Sequence, residues 1–131
     1  MGNQVIGPAQ PLDNTYVVQV DNPTIEPYQM DKSNHVILSA SGADMSCILP
    51  ANPNAGESHR FVVLFTGRIF LLPNTNTNQV IIFNPNGVGP ARSTASGGVP
   101  FVPAASQAEL VWNGQGAWVA SCCVQNNGGG G

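Results

Sequence analysis

Charge is what this chain has least of. Four basic and seven acidic side chains make up 8% of its 131 residues, where an ordinary soluble domain carries about 25%. The resulting net charge of -3 makes no field strong enough to steer nucleic acid or an anionic membrane surface, and the reading excludes both as partners. Solubility therefore falls to Asn, Gln, Ser, Thr and Gly. Cysteine is also scarce: Cys47 stands alone and Cys122 and Cys123 are adjacent, which is no framework for a disulfide-stapled domain. Neighbours on a strand point to opposite faces, so Cys122 and Cys123 look in different directions. A bridge from Cys47 to either is conceivable, and burial as a small hydrophobe is the plainer reading.

Long hydrophobic runs are missing as well. The longest are Phe61 to Phe65 and Ile69 to Leu72, far short of the roughly 20 residues that a spanning helix needs. Met1-Gly-Asn-Gln has neither the basic start nor the apolar stretch of a secretory leader, and the expectation is a soluble chain made in the cytoplasm. Eleven prolines and fifteen glycines break the sequence so often that no window of eleven residues carries a helical stripe. At most, Ala104 to Gln107 has room for one helical turn.

Groups that do chemistry are equally sparse. His35 and His59 are the two histidines, and neither has a second ligand at metal spacing. Glu57-Ser58-His59 places three reactive types side by side, but a catalytic triad draws its members from separate elements. Asp13, Asp21, Asp31 and Asp44 sit in turn-like contexts, where their carboxylates accept backbone hydrogen bonds. They do not recur at the offsets of a calcium loop. Gly97-Gly98 lacks the Lys-Ser/Thr of a phosphate loop. No catalytic residue, cofactor site or metal site is expected, and the chain reads as a non-enzyme.

What remains is a series of short apolar segments cut by turn residues. Thr15-Tyr-Val-Val-Gln-Val20 opens it and His35 to Ser41 follows, leading to Gly42-Ala43-Asp44 and then Met45 to Leu49 closing on Pro50. Past Asn54-Ala55-Gly56 come Phe61 to Phe65, the Gly67 turn, Ile69 to Leu72 and Gln79 to Phe83. A hairpin of Glu109 to Trp112 and Ala117 to Val119 around Asn113-Gly114-Gln115-Gly116 ends the run. In its order (a strand ending in Leu-Pro, a Gly-bearing turn, two or three strands, and a last strand with one Trp after a Gly turn) this resembles the small β domains of bacteriophage virion proteins. Such domains occur in capsid decoration proteins and in tail fibres. The resemblance implies a structural role in a virus particle, without fixing the part.

The expected architecture is all-β: an antiparallel β-sandwich, jelly-roll-like, spanning 15–124, with an extended arm over 1–14 and a flexible Gly-rich tail over 125–131. A chain of this length buries about two thirds of its unfolded surface as one domain. Residues 84–103 read as a long loop, a length that in compact domains usually marks a binding element. Three segments, Phe61 to Phe65, Ile69 to Leu72 and Val80 to Phe83, are apolar on both faces, more than one small domain can cover. Their outward sides therefore mark subunit contacts. Val62, Leu64, Phe70 and Leu72 are the candidate interface residues there, joined by Val5 and Ile6 on the arm and by Arg92 and Phe101 on the loop. The expected partners are the major capsid protein and further copies of the chain, as a dimer or trimer, on the capsid surface of a virion. The alternative is a tail-fibre or tail-tip module binding a host glycan, with Trp112, Trp118 and the 84–103 loop as its binding elements.

Overall fold

The computed structural model describes residues 17–19, 27–40, 42–74, 78–84, 92–94, 99–121 and 124–127. Every regular element among them is a strand: β1 (Val17–Gln19), β2 (Tyr28–Gln29), β3 (Val36–Ser39), β4 (Met45–Ile48), β5 (Ser58–Val63), β6 (Ile69–Leu72), β7 (Val80–Phe83), β8 (Arg92–Ser93), β9 (Val99–Val102), β10 (Gln107–Trp112), β11 (Ala117–Ala120) and β12 (Gln125–Asn127). They form a seven-stranded sheet in the order β1-β3-β5-β10-β11-β7-β8 and a five-stranded sheet in the order β12-β9-β6-β4-β2. No helix long and apolar enough to cross a membrane is present among the described residues.

The ladders are mixed, which corrects the expectation of antiparallel pairing throughout. Up to β6 the chain alternates between the two sheets, so each strand lies parallel to the one two places earlier. The spacing is the same in both layers. Val17 pairs with Val36 and Tyr28 with Cys47, nineteen residues on in each case; Val36 pairs with Arg60 and Met45 with Ile69, twenty-four on. Strands β1 to β6 thus follow one another as the turns of a coil. Its last turn is closed in each layer by an antiparallel strand, β10 against β5 and β9 against β6. The turn signals at Gly42 and Gly67, which resemble hairpin punctuation, are crossovers between layers.

Two further corrections concern segments rich in Pro, Gly or Asn. The stretch 84–103 is not a continuous loop, since Arg92–Ser93 pairs with β7 and Val99–Val102 pairs with β6 and β12. Pro100 lies beyond the two residues that pair with β6, so its missing N–H costs that ladder nothing. Gln125–Asn127, expected in a flexible tail, is β12 and forms an antiparallel ladder with β9. Ala104 and Ala105 make a turn rather than a helix, with Ala105 at φ 54. The arm over 1–14, with Val5 and Ile6, lies outside the described residues.

Alternation decides what is buried. Ile37, Phe61, Val63, Leu110, Trp118, Ile81 and Phe83 of the larger sheet meet Met45, Cys47, Ile69, Leu71 and Val102 of the smaller one in a single core. Cys47 is fully buried there as a thiol. The Trp118 indole packs 5.6 Å from the His59 ring and 5.3 Å from the Trp112 ring. Its Nε1–H donates to Gln79 Oε1 at 2.8 Å. The same Gln79 oxygen accepts the Asn74 N–H, while its amide nitrogen donates to the carbonyls of Pro50 and Ala51. One buried amide therefore satisfies the only polar atom of the largest core side chain and ties β11 to the segments that follow β4 and β6.

Two stacked crossovers close the other end of the coil. Gly67 has φ 92, and a Cβ there would lie 2.6 Å from the Ala43 carbonyl oxygen. Backbone on backbone cannot give way, so only glycine fits. Gly67→Ala is expected to lower stability by about 2 kcal/mol, read as a lower urea midpoint at unchanged m-value. Gln79→Leu orphans the Trp118 and Asn74 N–H groups and is expected to cost about 3 kcal/mol. An unchanged midpoint for that variant would show that water replaces the amide.

Candidate interaction surfaces

The outward faces of the two sheets carry the side chains left over once the core is filled, and they differ in kind. On the larger sheet the register sets out three rows across β5 and β10: Val62 beside Gln107, Arg60 beside Glu109, and Ser58 beside Val111. The last row runs on through Val119 of β11 to Ile82 of β7. Val111 is 37% exposed and Val119 42%. Past the end of β5, on the crossover to β6, Leu64 is 44% and Phe65 63% exposed. A shallow depression of about 340 Å³ lined by Arg60, Gln107, Glu109 and Ser121 borders another of about 340 Å³ lined by Val62, Leu64, Ala105 and Ser106. Both follow the β5–β10 seam.

On the smaller sheet the outward apolar groups cover one another. The rings of Phe70 and Phe101 lie 5.6 Å apart in a tilted pair, with the Arg68 guanidinium 4.8 Å from one ring centre and 5.5 Å from the other. Arg68 in turn donates to Asp44, 2.6 Å from Nη2 to Oδ2 and 3.3 Å from Nε to Oδ1. The hydrogen bonds and charge of Arg68 hold the Asp44 carboxyl below its ordinary range. This arginine is a lid on an aromatic pair, the geometry of a cation–π contact. Phe101 beneath it is buried and Phe70 half-buried; Leu72, on the same face of β6 as Phe70, is also half-buried.

The residues proposed from sequence consequently fall on opposite sides of the molecule. Val62 and Leu64 belong to the larger sheet's outer side; Phe70, Leu72 and Phe101 belong to the smaller sheet's. Arg92 is placed on β8 by its backbone pairing with Phe83. Sequence reasoning missed Arg60, Phe65, Glu109, Val111 and Val119. For Val111 and Val119 the signal was present, since alternation from the inward Leu110 and Trp118 puts both outside.

The groups weighed for other chemistry turn inward. Trp118 is fully buried and Trp112 half-buried against the core. His59 is buried; its Nδ1–H donates to the Asn34 carbonyl at 2.7 Å and its Nε2 lies 2.7 Å from Glu57 Oε2. Ser58, between them in sequence, is on the opposite face of β5 from His59, which sets it apart from the His59–Glu57 pair. Among the described residues no three His, Cys, Asp or Glu side chains group as a metal site.

The Asp44–Arg68 pair yields a pH expectation. A carboxyl depressed in the folded state adds stability above its unfolded value of about 3.9, and that contribution is lost as pH falls through the folded value. Because both partners are about two-fifths exposed, solvent screens the pair and the effect on stability is small. Arg68→Ala is expected to move the Asp44 titration midpoint upward in a carboxyl-detected NMR titration, with little change in the unfolding midpoint. A scan of family models and searches of curated proteins and of solved structures each find no match to this chain.

Proposed function

We propose that this chain is a structural protein of a phage particle, a decoration or cement protein that docks on the outer surface of the major capsid shell and resists its rupture. One observation carries the reading: Leu64 and Phe65, two large apolar side chains, are held in solvent at the tip of a braced crossover. The bracing is specific. Leu64 N–H donates to the Ser39 carbonyl, Ala105 N–H donates to the Phe65 carbonyl, Thr66 Oγ1 donates to the Gly42 carbonyl, and Arg68 grips Asp44. A preorganised apolar knob loses little entropy on docking, which is how interface anchors gain affinity.

The surrounding architecture supports mechanical work. In this reading the two layers pack as a sandwich wound as a coil and closed by antiparallel strands, in place of the jelly roll expected from sequence. A ligand that binds only the assembled shell stabilises it by mass action. A low charge fraction suits a protein that works by contact area. Packing of Trp118 within the core and of Trp112 against it favours this reading over the glycan-binding alternative.

The test is co-sedimentation of the purified chain with phage heads stripped of their accessory proteins. Saturable binding and a raised temperature of head rupture are expected, with Phe65→Asp weakening binding by about tenfold or more while its circular dichroism stays unchanged. Absence of saturable binding, or full binding by Phe65→Asp, would overturn the proposal.

A further inference from the structure

The knob at Leu64 and Phe65 leaves the broad outer face of the larger sheet without a role. Val111 and Val119 are exposed there beside the half-buried Ile82. Next to them stand one cation and one anion. Arg60 and Glu109 are directly opposed across the β5–β10 ladder, a placement in which opposite charges on a sheet normally meet. Within the described residues they form no ion pair, and the 340 Å³ depression lies against them. Both side chains are exposed.

We infer that this face binds the same face of a second copy of the chain about a two-fold axis that runs along the β5–β10 seam. The operator exchanges the two members of every register pair. Arg60 then faces the partner's Glu109, and the reverse contact forms simultaneously. Val62 meets the stem of the partner's Gln107, and Val111 meets the partner's Ser58. Each larger apolar group opposes a smaller or flexible one, so the side chains can fill the shallow depressions along the seam. An isologous contact of this kind needs a self-complementary patch. A face with one cation and one anion, side by side on the axis, is that patch. A partner of a single charge sign would leave Arg60 or Glu109 desolvated and unmatched.

This deepens the proposed function by naming a self-contact, and it rests on that reading only in taking the chain to be part of an assembly. The contact is tested on the purified full chain alone, without particles, by sedimentation equilibrium. The wild type is expected at twice the chain mass at high micromolar concentration. Arg60→Glu and Glu109→Arg, each made singly, put like charges face to face and are expected to weaken self-association about tenfold or more. Mixing the two variants in equal amounts sets the acid introduced at position 60 of one chain against the base introduced at position 109 of the other. That mixture is expected to restore the dimer, as is the double variant. Circular dichroism of each single variant checks that it is folded.

A monomeric wild type, single variants that associate as the wild type does, or a mixture that stays monomeric would each overturn the two-fold arrangement. None of these outcomes bears on docking through Phe65, which is read on particles. A variant that is monomeric yet binds heads separates the two contacts.

Discussion

Burial of the Trp118 indole is the constraint on which the rest of the structure depends. An indole can be withdrawn completely from water only if its single N–H finds an acceptor. Gln79 supplies it, from the residue just before β7. Having accepted from the indole, the same side chain donates to the carbonyls of Pro50 and Ala51, where the coil crosses between layers. The core therefore includes a polar joint that links β11 to the segments following β4 and β6. Neighbouring contacts follow from it: His59 is wedged against the indole and anchored to the Asn34 carbonyl, which fixes the turn before β3.

Inward residues of both sheets share one core, and an outward apolar residue needs some other cover. The smaller sheet provides its own, through Arg68 lying over Phe70 and Phe101. The larger sheet does not, and Val111 and Val119 stay wet. The asymmetry between the two faces, one self-covered and one open, organises the functional reading.

Much of the fold was legible in the sequence, for identifiable reasons. Alternation at Met45 to Leu49 and the two-faced apolar runs at Ile69 to Leu72 and Val80 to Phe83 locate strands to within a residue or so of β4, β6 and β7. What alternation cannot reveal is the direction in which neighbouring strands run. A glycine turn such as Gly42 or Gly67 serves a hairpin and a layer crossover equally well, and only the equal spacing of nineteen and then twenty-four residues in both layers distinguishes them. Val99–Val102 was hidden by Pro100 and the flanking Pro103, and Gln125–Asn127 by a polar sequence with no apolar alternation to mark a strand. At the candidate surfaces, outward residues were identifiable one strand at a time. Which of them become neighbours, as Arg60 and Glu109 do, is a property of the pairing of β5 with β10, almost fifty residues apart in the chain.

The order of winding has a consequence for the chain as it is made. Among themselves, strands β1 to β6 pair at separations of at most twenty-four residues, so this half can be laid down turn by turn as it emerges, at modest loop-closure cost. Its last turn then presents the unpaired edges of β5 and β6 until residues 99–112 arrive to cover them. An open edge of that kind is a template for any other extended chain. The nascent protein is thus most vulnerable to mispairing in the interval between finishing its coil and synthesising the strands that close it, and the indole that locks the closure is among the last core residues to be translated.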